Sequence, residues 1–361
     1  YHPEYRNTLS IPDFPRSYRT IYVGQEAALY PPLYYLLDLP FYNLAYDYNL
    51  VDRVELARFL SLVLGLGLAV AAYKIGRMVW PDKIMASALA VLVSFQPMIS
   101  FVAAGIHPDN LLNFFSTLII IVCLLVIKNG VKFKYLFWLV LLAFLGWQTK
   151  PSVIFLLPVA AAVVAWRWHG WPPAFLVLVV PAAAFFFRWP LPYMPYVGPD
   201  SPLANMDFGQ YLAFRIPKLT FELWPWYWGV FKWLGITLPP LVMKIITRVA
   251  ILAAIGLVIY FYRVFRAKKF TLEFKFLVFF LLSSFFYLLY LVLWDWRLMQ
   301  SIGFSQGLQG RYLFPNVVPQ MALLLAGLTV VKRFEKTAAI LLVIGMVILN
   351  IVALHTVYVS Y

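Results

Sequence analysis

Three short polar clusters stand out in a chain where only 12% of residues are charged. The first reads Gln25-Glu26-Ala27-Ala28-Leu29-Tyr30-Pro31-Pro32-Leu33-Tyr34-Tyr35. Two prolines fix φ and withdraw two backbone donors. Glu26 stands just before them, either as a solvated loop carboxylate or as a reactive acid, and Tyr30 stands at the same turn. The second is His107-Pro108-Asp109-Asn110. Asp109 suits an N-cap, where a carboxylate accepts free amide hydrogens. It equally suits a general base beside a membrane surface, and the two roles are compatible. The third is Gln309-Gly310-Arg311-Tyr312-Leu313-Phe314-Pro315. The planar fork of Arg311 matches a phosphate bidentately; snorkelling toward lipid headgroups is the alternative.

Two weaker signals join them. Lys150, in Gln148-Thr149-Lys150-Pro151, separates two apolar runs. Lys244 and Arg248 stand four residues apart, so they share a helix face; they hold an anionic headgroup or anchor the helix at an interface. With His107 and Tyr30, these cations complete a candidate anion-binding set. The residues alone describe a place for an anion near a bilayer and do not specify a reaction. Cys123 is the only cysteine, and no Cys/His cluster with metal-ligand spacing occurs.

The elements that must position these groups follow from composition. The 361 residues are 63% hydrophobic, against about 25% charged residues in a typical soluble domain. In lipid the backbone must satisfy itself as helices or a closed barrel. The apolar runs are continuous rather than alternating, which selects helices. A span needs roughly 20 apolar residues. This predicts an all-α polytopic transmembrane bundle of about ten helices: 55–79, 84–105, 109–128, 134–149, 151–168, 173–188, 241–263, 272–294, 312–331 and 338–358. The fourth to sixth are short and interrupted by Pro151 and Pro158.

The net charge of +14 fits basic cytoplasmic loops better than nucleic-acid binding. Five connections hold 15 of the 29 Lys and Arg: those around Lys74 to Lys83, Lys128 to Lys134, Arg167, Arg263 to Lys275, and Lys332 to Lys336. The positive-inside rule makes these cytoplasmic. The polar clusters then face outward, in a multi-pass protein of the cell membrane. Residues 1–54 form an extracytoplasmic loop with interfacial segments, and 55–361 a transmembrane domain with outer loops at 189–240 and 295–311. The run FELWPWYWGVFKW, from Phe221 to Trp233, reads as an interfacial aromatic belt or as a platform beside a lipid or sugar site. An outward start implies at least one helix upstream of Tyr1.

In order along the chain, the PPLYY segment is followed by Ala57-Arg58-Phe59-Leu60-Ser61, Tyr73-Lys74-Ile75-Gly76-Arg77, the HPDN loop, the TKP segment Thr149 to Pro151, and QGRYLFP. This series resembles the multi-spanning GT-C glycosyltransferases, in the branch of protein O-mannosyltransferases, aminoarabinose transferases and related bacterial membrane proteins with a QGRYL-type motif. The resemblance covers nearly the whole chain. It implies transfer of a sugar from a polyprenyl-phosphate or polyprenyl-diphosphate carrier on the extracytoplasmic face. It matches Asp109 to an acidic residue of the second outer loop, Arg311 and Tyr312 to a carrier-phosphate contact, and Lys150 to the lysine of the TKP segment. The implied partners are the lipid-linked donor, membrane lipids and a membrane-protein complex.

The chain departs from that pattern in its first loop. Residues 1–54 contain no Asp-Glu pair. Some relatives carry Glu-Lys immediately before the two prolines, as ligand to a divalent metal ion and contact to phosphate; here Leu29 and Tyr30 occupy those positions. Glu26 is an imperfect substitute. The alternative expectation is a non-catalytic GT-C-like subunit, and a transporter is a third.

Overall fold

The computed structural model describes residues 30–187, 205–231, 234–303 and 308–360. Glu26 lies outside them, as do Trp233 and much of the expected loops at 1–54 and 189–240. Helices dominate: α1 (Leu33–Leu44), α2 (Leu50–Val79), α3 (Lys83–Ser94), α4 (Pro97–Ala103), α5 (Asp109–Asn129), α6 (Phe133–Trp147), α7 (Leu157–His169) and α8 (Trp171–Phe186). A second series holds α9 (Phe208–Phe221), α10 (Leu223–Trp228), α11 (Pro240–Ala267), α12 (Leu272–Ile302), α13 (Val317–Leu328) and α14 (Glu335–Ser360). Short 3-10 turns cover Pro151–Phe155 and Gly310–Asn316, and a two-residue hairpin pairs Val230–Phe231 with Ile236–Thr237.

Six of these helical segments are long and apolar enough to cross a membrane, and seven if α3 and α4, bent by 64°, form one broken span. This is fewer than the ten apolar runs. Residues 84–105 bend because Gln96-Pro97 interrupts the ladder: Pro97 brings no N–H, and Gln96 caps α4 by accepting from the Ile99 N–H at 2.6 Å. The runs 134–149 and 173–188 yield helices of 15 and 16 residues, roughly 22–24 Å long, below the ~30 Å of a hydrocarbon core. The run 312–331 opens as a 3-10 turn carrying Pro315 and leaves a 12-residue helix. Helix α12 runs on to Ile302, so the first part of the loop expected at 295–311 is helical. Likewise α2 already starts at Leu50, before the expected loop boundary at 54.

The bundle has two chemically distinct ends. Helix α5 starts at Asp109 and spends 21 residues, roughly 30 Å, reaching Asn129, with Lys128 in its last turn. At that far end Asp82 pairs with Lys336 at 3.0 Å and Lys332 with Glu335 at 3.2 Å. The near end carries the HPDN, TKP and QGRY segments. Between them α11 and α13 cross in backbone contact. A Cβ on Gly256 would lie 1.9 Å from the Gly327 carbonyl oxygen, so both positions require glycine for this approach.

Candidate functional site

Four separated stretches of chain converge at the near end. Local hydrogen bonds explain how. Tyr34, buried on α1, bonds through its hydroxyl to Ser61 Oγ on α2 at 2.7 Å. The same hydroxyl accepts the His107 N–H at 3.0 Å. Leu33 N–H donates to the Gln148 carbonyl at 3.1 Å, which ties the PPLYY segment to the TKP segment. Asn110 donates to the Val102 carbonyl at 2.9 Å and closes the loop between α4 and α5. The QGRY segment is set by close backbone approach: a Cβ on Gly310 would fall 2.0 Å from Tyr227 N on α10. Glycine at that position lets Arg311 stand where it does.

At the centre Lys150 Nζ donates to Asp109 Oδ1 at 2.6 Å. Both residues are buried, at 7% and 3% exposure. The ammonium also faces the rings of Tyr30 at 5.1 Å and Tyr312 at 5.5 Å, within cation–π range. Burial works against the Lys150 charge, but the neighbouring carboxylate outweighs it and holds the ammonium above its ordinary range. Arg311 lies over the Tyr312 ring at 5.9 Å, and one of its terminal nitrogens stands 3.4 Å from His107 Nε2. His107 Nδ1 is 3.4 Å from Asp109 Oδ2.

Asp109 is the first residue of α5 and not its N-cap; that position belongs to Pro108, which has no capping side chain. The carboxylate still benefits from the positive helix end, but it is directed at Lys150. Its second oxygen has no hydrogen-bond partner, and neither has Arg311 Nε, although both are buried. One open acceptor on an anion and one open donor on a cation therefore sit in one cluster. A phosphate oxygen fits the arginine side and a hydroxyl fits the carboxylate side.

His107 titrates below its ordinary 6.5, because burial disfavours its charge and Lys150 and Arg311 repel it, while Asp109 pulls the other way. The consequence for stability has a definite sign. As pH falls through about 6.5, the unfolded imidazole takes up a proton that the folded one resists, so the protein loses stability. We expect melting temperatures to decline between about pH 7 and about pH 5, with a shallower decline in His107→Gln. Equal slopes for the two proteins would contradict this.

The structure thus brings together Asp109, Lys150, His107, Arg311, Tyr312 and Tyr30. It does not bring in Lys244 and Arg248. Both are exposed on α11, and among the described residues neither has a hydrogen bond or ion pair to the cluster. The aromatic run at 221–233 is mixed in its described part: Phe221 is exposed, while Trp224 and Trp226 are half-buried. Tyr227 and Trp228 are buried. Tyr227 bonds to Gln320 at 2.7 Å and packs on Phe314 at 5.5 Å, bracing the turn that carries Arg311.

Two further polar features escaped the sequence reading. Arg215 on α9 grips Asp295 on α12 with three hydrogen bonds of 2.7–2.9 Å, and the Tyr211 hydroxyl donates to the same carboxylate at 2.7 Å. Tyr211 and Arg215 stand four residues apart, which was the only signal available. Asp38 on α1 is buried with one oxygen unpartnered, and burial pushes its carboxyl up to about 6. Among the described residues, no group of three or more His, Cys, Asp or Glu could hold a metal ion.

No protein-family model, no curated protein and no solved structure matches this chain.

Proposed function

We propose that the chain is a membrane glycosyltransferase that takes a sugar from a polyprenyl-phosphate carrier at the Asp109–Lys150–Arg311 cluster. The observation that carries this reading is the convergence of an open, buried carboxylate oxygen with two cations and two tyrosine rings. In the reaction the acceptor oxygen bonds to the anomeric carbon as the bond from that carbon to the phosphate oxygen breaks. The acceptor proton passes to Asp109 Oδ2, and the leaving phosphate keeps the electron pair, held by Arg311 with Lys150 behind it. Little further activation is needed, because the carrier phosphate is already a good leaving group. The apolar helices give the prenyl tail a solvent, and the basic far end favours a cytoplasmic placement, which puts the cluster on the extracytoplasmic face. In this reading the shorter helices α6, α8 and α13 complete a ten-segment bundle.

A non-catalytic subunit on the same scaffold is the second reading. It is favoured by the 2.6 Å Lys150–Asp109 pair, which engages the cluster's one described carboxylate and weakens it as a base. Sugar release from a radiolabelled polyprenyl-phosphate sugar, in membranes carrying the protein, separates the two. Asp109→Asn and Arg311→Ala are each expected to lower transfer by about 10²-fold or more. Undiminished transfer in both variants would remove the site, and inactive wild type that still binds polyprenyl phosphate would support the subunit.

A further inference from the structure

The cluster continues inward as a polar seam. Along α5, Asp109, Asn113 and Ser116 follow at i, i+4 and i+7, so they share one helix face. All three are buried at 3% exposure or less. Helix α5 packs on the Gly310–Asn316 turn and on α12. From α12, which packs on α5, comes Tyr287, fully buried with its hydroxyl unpartnered. One turn away on the same helix, Ser284 accepts from Asn316 Nδ2 at 2.9 Å, which joins the turn to the seam.

Five buried atoms here have no hydrogen-bond partner: Asp109 Oδ2, Asn113 Oδ1, Ser116 Oγ, Tyr287 OH and Asn316 Oδ1. They are half of the ten such atoms among the described residues, and they lie on three elements that pack together: α5, the Gly310–Asn316 turn and α12. Ser116 is telling. Buried helical hydroxyls elsewhere bond back to their own helix, as Thr117 does to the Asn113 carbonyl at 2.8 Å and Thr329 to that of Leu325 at 2.7 Å. Ser116 forgoes that bond. All five atoms are oxygens, and three are pure acceptors. What satisfies such a set is a small neutral donor with two hydrogens. On the α5 face beyond Ser116 come Ile120 and Cys123, both buried, so that face turns apolar.

We propose that this seam binds a file of water molecules, running from Ser116 past Asn113, Asn316 and Tyr287 to Asp109. Each unpartnered oxygen accepts a hydrogen from the file, and a water needs two to four such partners. The water nearest Asp109 solvates the carboxylate from inside the bundle, which keeps the Asp109–Lys150 pair charged despite its burial. The site stands independently of any sugar transfer.

X-ray hydroxyl-radical footprinting of the purified protein reads this directly, since radicals form at bound water. Tyr290 is the internal control. It lies on the same helix, is 1% exposed, and donates its hydroxyl to the Leu178 carbonyl at 2.7 Å. Tyr287 should be oxidised at least several-fold faster than Tyr290; equal protection would overturn the proposal. Isosteric variants give a second readout. If the hydroxyls hold water, Ser116→Ala and Tyr287→Phe should each lower the melting temperature by roughly 2–4 °C. If they are dry, the same variants raise it. A melting temperature that instead rises with added sodium chloride but not with choline chloride would assign the seam to a cation and also overturn the proposal.

Discussion

Replacing Lys150 with methionine is expected to destabilise the folded protein by about 3–5 kcal/mol, the cost of leaving one member of a buried ion pair unpaired. The geometry makes the effect large. Asp109 is 3% exposed, and Lys150 is the sole cation hydrogen-bonded to it among the described residues. Without the ammonium, the carboxylate must protonate or keep its charge without a counter-ion. The rings of Tyr30 and Tyr312 would also lose the charge they face. The double variant Lys150→Met/Asp109→Leu should recover most of the loss, because removing both charges spares the desolvation of either. Denaturant unfolding in detergent micelles measures both. A single variant within 1 kcal/mol of wild type, or a double variant no better than the single, would contradict the pairing.

A comparable loss, again about 3–5 kcal/mol, is expected for Arg215→Met. The guanidinium is 1% exposed, makes three hydrogen bonds to Asp295 and pairs with Glu222 at 3.5 Å. Tyr211 alone would be left to hold that carboxylate. This pair clamps α9 to the end of α12, with the aromatic packing of Phe208 on Trp296 beside it at 4.9 Å. The two lesions differ in kind, however. Arg215 lies outside the Asp109 cluster, so Arg215→Met should cost stability while polyprenyl-phosphate binding persists in the folded fraction. Lys150→Met should cost both. Loss of binding in stable Arg215→Met protein would merge the two clusters into one site.

Much of the candidate site was legible because polar residues are rare in this chain. Asp109, Lys150 and Arg311 each interrupt an apolar background, and lipid leaves such residues little to do except pair or act. Lys244 and Arg248 do not join the cluster, for a definite reason. A spacing of four specifies a shared helix face but not which neighbour that face meets, and here it meets none of the cluster. Arg215 and Asp295 are 80 residues apart, a distance at which no local pattern operates. Asn113 and Ser116 read as ordinary interruptions of an apolar run until the α12 face opposite them is known. For the fold, hydropathy located the apolar runs but not the breaks within them. Gln96 bonds to the Tyr227 carbonyl across the structure, and that tertiary bond helps to hold the bend between α3 and α4. Pro315 alone did not reveal that the run at 312–331 would begin as a 3-10 turn.

The central claim is that Arg311, with Lys150 behind it, holds a lipid phosphate. Its most direct test is equilibrium binding of a polyprenyl phosphate to the purified protein in nanodiscs of neutral lipid, with Arg311→Ala compared with Arg248→Ala. A charge-assisted hydrogen bond contributes about 1.5–3 kcal/mol, so Arg311→Ala should weaken binding by roughly 10- to 100-fold, while Arg248→Ala should bind as wild type. Equal affinity in wild type and both variants, or a loss confined to Arg248→Ala, would contradict the account.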